Sequence, residues 1–231
     1  MTECKLLAED VQLCEDIDDA ERFINSFRAI YDSINAYNQP NKKTLLHWAV
    51  SSKKTWLVER ILQESEIDVN AVDSAHETAL ISACRNGCAQ IVRLLAERGA
   101  DTEIFDYNDD SALLWACYNR HIGIVEFLVD EMGADVDHLY KDGRNALMWS
   151  CKQDCFKLVS FLYFKTERPN WEDMNGQTAY CLAKSAQIKT FIETQERRRK
   201  AALAMFYFQK RDHVLFEKFT LTIVFDYLSF P

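Results

Sequence analysis

Apolar residues fall into short helical periods along this chain, and the periods themselves come round again. LVERIL (57–62), IVRLLAERGAD (91–101), IVEFLVDEMGAD (124–135) and LVSFLYF (158–164) place apolar residues at i, i+3 and i+4, the spacing of an amphipathic helix. Each follows a shorter apolar segment: TLLHWAV (44–50), ETALISACRNG (77–87), SALLWACYNRH (111–121) and NALMWSCKQDC (145–155). A fifth such segment is QTAYCLAKSA (177–186). Within them stand Ala49, Ala83, Ala116, Ser150 and Ala183, which are 34, 33, 34 and 33 residues apart. Self-similarity at a fixed period of this size is the mark of stacked units.

The positions inside the period have separable physical roles. Small residues at the Ala49 register let neighbouring helices approach closely, and Leu46, Leu80, Leu113 and Leu147 supply a buried stripe. Thr44, Thr78, Ser111, Asn145 and Thr178 lead the short helices. Each offers a hydroxyl or amide oxygen to an orphan backbone N–H. IDVNAVD (67–73), ADTEIFD (100–106) and ADVDHLY (134–140) read as extended connectors. Gly99 and Gly133 fall where a helix C-terminus favours a left-handed residue. One unit is thus predicted to be a short helix, a tight turn, a longer helix and a hairpin-like loop.

These units resemble ankyrin repeats, whose family pattern is D-x-x-G-x-T-P-L-H-x-A-A-x-x-G-H. The resemblance covers about residues 34 to 195 and implies an all-α solenoid of stacked helix-turn-helix units. The chain departs from the pattern where Leu45, Ala79, Ala112, Ala146 and Ala179 replace the usual proline, and only His47 keeps the family's histidine. The expected organisation is a degenerate N-terminal capping repeat over 1–40, five repeats over 41–196 and a C-terminal tail over 197–231. The repeats run about 41–73, 74–106, 107–140, 141–173 and 174–196. A solenoid needs capped ends. Residues 4–14 and 18–32 read as helices, and SINAYN (33–38) resembles the connector VNAVD.

The tail does not continue the period. AALAMFYFQK (201–210) reads as helix, whereas residues 212–231 fit a strand alternation and a helical i+4 row equally well. They would serve as an extra capping layer or as a docking segment. This tail is also similar to the F-box-like tails of protist and poxvirus ankyrin proteins, which recruit ubiquitin-ligase cores. Leu215, Phe219, Ile223 and Leu228 occupy the apolar slots of that pattern, with Phe216 in place of its proline. The resemblance implies an alternative role, the substrate receptor of a ubiquitin ligase whose adaptor docks on residues 212–231.

Composition narrows the classes further. Apolar residues make up 48% of the chain, enough for a continuous core, and the net charge is −9. Such a surface repels phosphate backbones and anionic membranes, so neither nucleic acid nor membrane insertion is expected. The polar, acidic N-terminus has no signal-peptide pattern. The expected compartment is the cytosol, with the nucleus as a further one because of the basic run Arg197–Lys200. The eight cysteines then behave as small hydrophobes. A monomer is expected.

Candidate chemistry is sparse. Cys84 and Cys88, and again Cys151 and Cys155, share a C-x-x-x-C spacing. Equivalent positions on stacked helices lie about 8–10 Å apart, too far to share one zinc bonded at about 2.0–2.3 Å. No H-E-x-x-H, P-loop or dinucleotide fingerprint occurs, so no catalytic residue, metal or cofactor is expected. Trp48, Trp115 and Trp149 share one register and are expected to pack between successive first helices. Leu62, Asp68, Val69 and Asn70 resemble the pattern of ankyrin asparagines hydroxylated by an iron-dependent dioxygenase, which makes Asn70 a candidate modification site.

The resemblance implies a protein partner held in a concave groove of loop tips and first helices. On this chain that surface maps to Arg85, Asn86, Phe105, Tyr107, Asn108, Asp110, Tyr118, Asn119, Lys141, Asp142, Arg144 and Gln153, beside Asn41, Lys43, Glu77 and Lys152. Tyr and Arg are enriched among interface hot spots. Tyr107 and Tyr118 are the expected anchor, with Arg85 and Arg144 as polar neighbours.

Overall fold

The structure, a computed structural model, describes residues 41–211, with side chains through Ala202, and Glu21, Arg22, Ile24, Asn25, Phe27, Asn35, Tyr37 and Asn38 before them. A two-stranded antiparallel ribbon, β1 (Tyr37–Asn38) with β2 (Lys43–Thr44), opens the first unit. Helix pairs follow: α1 (Leu45–Ser51) with α2 (Thr55–Leu62), and α3 (Ala79–Asn86) with α4 (Ala89–Glu97). Next come α5 (Ala112–Tyr118) with α6 (Ile122–Asp130), and α7 (Ala146–Lys152) with α8 (Phe156–Tyr163). The short α9 (Ala179–Leu182) and the long α10 (Ala186–Arg211) close the described chain. The all-α repeat solenoid is what the periodicity predicts.

Two layers result. The first helices α1, α3, α5, α7 and α9 pack side by side, and the second helices pack against them and against one another. The small-residue register lies at the contact: Ala49, Ala83, Ala116 and Ser150 are fully buried. Leu46, Leu80, Leu113 and Leu147 line the same continuous core. Truncating one such leucine to alanine costs about 2–5 kcal/mol, because a stacked core cannot collapse into the hole.

The helix starts follow from the lead residues. Thr78, Ser111, Asn145 and Thr178 accept from the backbone N–H groups of Ile81, Leu114, Met148 and Cys181 at 3.2, 3.2, 3.0 and 3.4 Å. The first unit solves the problem differently. His47 Nδ1 accepts from the Thr44 N–H at 3.3 Å, and its Nε2 meets the Glu77 carbonyl at 2.9 Å. That ring therefore joins one unit to the next. Burial holds its imidazole below the ordinary value, against the opposing pull of the Glu77 carbonyl and Asp73.

Gly99 and Gly133 adopt φ of 77° and 71°, as their places at helix C-termini require. At the other end of the connectors, the units are tied by a ladder of side chains. Asn35, Asn70 and Glu103 accept from the backbone N–H groups of Asp68, Asp101 and Asp135 at 2.8, 2.9 and 3.2 Å. Asp137 does the same for Glu167 at 2.8 Å. Asn35 lies in SINAYN, so this segment makes the bond that its likeness to VNAVD implies. Ahead of it, Ile24 and Phe27 are buried in the core, and Glu21 pairs with Arg60 at 3.5 Å. The predicted helix over 4–14 and the tail over 212–231, with its F-box-like slots, lie outside the described residues.

Candidate functional site

The loop tips form one edge of the first-helix layer, and their geometry repeats. Asp73, Asp106 and Asp173 each accept two backbone N–H bonds from the residues two and four places on, at 2.7–3.1 Å. Each of these aspartates also closes the hairpin with its own N–H. Successive tips are joined by backbone bonds, Ser74 to Asn41, Tyr107 to Ala75 and Met174 to Asp142. This self-satisfied scaffold holds the intervening side chains outward.

In the third unit those side chains are aromatic and acidic. Tyr107 is 68% exposed, lies against the His76 ring with centroids 5.5 Å apart, and has its carbonyl bonded by Lys141 Nζ. His76 Nδ1 is in turn fixed on the Phe105 carbonyl at 2.7 Å. Phe105 stacks on His138 at 4.3 Å. Around them Glu103, Asp106, Asp109 and Lys141 line an open depression of about 530 Å³. Asp110 adjoins it and makes no side-chain hydrogen bond or ion pair among the described residues. Burial, with Asp106, Asp142 and Asp109 close by, pushes its carboxyl up to about 6 against the pull of Lys141.

At the far end of α5, Tyr118 is 48% exposed between Trp115 and Trp149, with centroids 6.1 and 6.0 Å away. The tryptophans are partly buried, so they do pack along the first helices, but they also form the floor of this face. Cations roof them: Lys43 on Trp48 at 5.6 Å, Arg85 on Trp115 at 5.3 Å, and Lys152 on Trp149 at 4.2 Å. Trp115 Nε1 donates to Asp106 at 3.2 Å, whereas Nε1 of Trp48 and of Trp149 has no partner among the described residues.

The other residues singled out from the sequence divide by what they touch. Arg85 is clamped by both carboxylate oxygens of Glu77. Arg144 is only 9% exposed and bonds Asp173 at 2.8 Å and Asp142 at 3.1 Å. Burial pulls the Asp173 carboxyl upward, but the amides of Gln177 and Asn175 and the Arg144 guanidinium outweigh it and hold it below its ordinary value. Asn119 Nδ2 bonds its own helix at the Trp115 carbonyl, 3.0 Å away. Asn108 is exposed at the tip, and Asn86 and Gln153 are half-buried near the ends of α3 and α7. Both ends of the Asn70 amide are committed to the following connector: its oxygen accepts from Asp101 and its nitrogen donates to the Gly99 carbonyl at 3.4 Å.

Two residues of this surface, His76 and Asp109, escape the sequence reading. Both are left-handed, with φ of 59° and 68°. They share a register with Gly143 and Gly176, where the backbone asks for glycine. The signal was there, since 76, 109, 143 and 176 are 33, 34 and 33 apart.

Cys84, Cys117 and Cys151 are buried, and burial pushes the Cys117 and Cys151 thiols up to about 12 and Cys84 higher still. No group of three or more His, Cys, Asp or Glu residues is arranged to hold a metal ion among the described residues. No described helix is long and apolar enough to cross a membrane.

Comparison with known proteins matches this architecture. A family model for ankyrin repeats matches in three copies, over residues 13–106, 46–139 and 102–175. The chain is 34% identical over 93 residues to the tyrosine-protein kinase HTK16 of Hydra vulgaris, which covers 39% of this chain and 12% of that protein. It is 29% identical over 106 residues to the protein lin-12 of Caenorhabditis elegans, covering 43% and 7%. It is 37% identical over 70 residues to the human ankyrin repeat domain-containing protein 63, covering 30% and 18%. The matched segment is thus less than a fifth of each of these relatives.

Proposed function

The chain belongs to the ankyrin-repeat family, and we propose that it is a non-catalytic interaction module whose partner protein lies across the loop tips and first helices of its middle units. Repeats of this family are generally protein-interaction modules, and function has to be argued from the site, not the fold. The carrying observation is the pair Tyr107 and Tyr118, large aromatics exposed on one face of the third unit and braced from below. A braced aromatic gives contact area while losing little conformational freedom, which is what an interface anchor requires. Asn108, Asp110, Lys141 and Asp142 form the polar surround. Arg85, held by Glu77, roofs Trp115 on that surface, and the nearly buried Arg144 braces it.

The test is to recover binding proteins with the full-length chain, identify one, and titrate it against Tyr107→Ala/Tyr118→Ala. Affinity at least about a hundredfold weaker, with the melting midpoint unchanged, supports this placement. Unchanged affinity contradicts it.

A further inference from the structure

The face centred on Tyr107 is unevenly charged, and this unevenness describes what it receives. Glu103, Asp106 and Asp109 line the depression beside Tyr107, and Asp110 and Asp142 adjoin it. Lys141 is the lysine or arginine among the lining residues, and its ammonium is held on the Tyr107 carbonyl. The nearby guanidiniums are already paired, Arg85 with Glu77 and Arg144 with Asp173 and with Asp142 of this cluster. His138 Nε2 lies 3.9 Å from Asp109, too far for a hydrogen bond. Carboxylates therefore outnumber the cations that could neutralise them, next to an exposed aromatic ring.

Resting on the function proposed above, we propose that the partner segment received here is basic: a Lys or Arg side chain lies along Tyr107 and sets its charge between Asp109 and Asp110. The stem of such a side chain packs on an aromatic face while its head stays polar, and the cation is attracted to the ring itself. The same charge relieves the crowding of carboxylates that raises Asp110. Asp109 and His76 place side chains on this surface at a left-handed position where Gly143 and Gly176 place none. Backbone strain of this kind persists where surrounding structure holds it, commonly at ligand-binding positions. Electrostatic complementarity of this sort selects the partner and speeds encounter more than it adds raw affinity.

Selection of a random peptide library on the full-length chain, at physiological ionic strength, tests the inference. The expected peptides carry net positive charge. Replacing their Lys and Arg by Gln weakens them about tenfold or more, and Asp109→Asn/Asp110→Asn in the protein weakens the parent peptides equally. Asn is at home in a left-handed position, so the double variant should melt no lower than the parent chain. Acidic or neutral peptides that still need Tyr107 and Tyr118 overturn the charge preference and leave the binding face standing. Basic peptides indifferent to Asp109→Asn/Asp110→Asn also overturn it, as attraction to an acidic chain in general. Peptides indifferent to both the aspartate pair and Tyr107→Ala/Tyr118→Ala overturn the proposed face as well.

Discussion

Asp110 and Arg144 stand at the same position of successive units, one residue before the helix-starting Ser111 and Asn145. Their loops, 106–110 and 140–144, share a hairpin closed by the same backbone bond. In the fourth unit the loop turns inward. Tyr140 replaces the tip aspartate, is 4% exposed and bonds Ser111 Oγ at 3.0 Å, while Arg144 welds the loop to Asp173 at the start of the next hairpin. In the third unit the loop faces outward, with Tyr107 exposed and Asp110 without a partner among the described residues. One backbone thus serves two ends. Side chains that find partners in the neighbouring unit stabilise the stack, and those left without one are available to another molecule.

Breaking the inward loop should have the largest effect. Arg144→Ala leaves Asp173 without its cation and should lower the melting midpoint by about 5–10 °C, measured by circular dichroism. A change under about 1 °C would mean that this pair is as weak as an ordinary surface ion pair.

Acid provides a second, directional test of the inward residues. Because His47 takes up a proton less readily folded than unfolded, its contribution is whole above the unfolded value of 6.5 and is lost as pH falls below it. The midpoint should therefore fall from pH 7 to pH 5, and His47→Gln should flatten that slope. An identical slope in the variant would assign the acid sensitivity to other groups.

The outward loop should behave oppositely. Asp110 binds its proton more readily folded than unfolded, so its carboxylate destabilises the fold above about pH 6, and the penalty lifts as pH falls through that value. Asp110→Asn should raise the midpoint by about 2–4 °C at pH 7, allowing for its partial exposure, and by little at pH 4. A destabilised variant at pH 7 would show that Asp110 has a stabilising partner after all.

The smallest effect comes from exchanging the glycine register between the two loops. Asp109→Gly should stabilise by about 1 kcal/mol by relieving a left-handed aspartate, while weakening the binding of a basic peptide. Gly143→Asp should destabilise, since φ is 74° and a Cβ there would stand 3.1 Å from the Met174 backbone nitrogen. Equal stabilities for the parent chain and the Asp109→Gly variant in denaturant unfolding would remove the strain argument.

Much of this was legible in the residues themselves. The 33–34 period located every described helix pair, because burial at Ala49, Leu46 and their equivalents is a local, repeated demand. The caps were legible for the same reason, each being a side chain bonded to its own helix start. What failed to show were interactions across units. Nothing in RNALMWS says that Arg144 is held by an aspartate 29 residues away. The tryptophans were legible as stacking residues but not as the floor of a face, because exposure depends on which neighbours roof them. His76 and Asp109 were missed because a missing glycine reads as drift until its φ is known.

The central claim is that the third unit's outward loop and the exposed side of α5 receive the partner. Hydrogen exchange of the full-length chain, with and without a peptide selected on it, tests that directly. Added protection over residues 74–77, 105–110 and 115–119, with the second helices α2, α4 and α6 unchanged, is the predicted result. Protection confined to those second helices, with the Tyr107 loop unaffected, would contradict it.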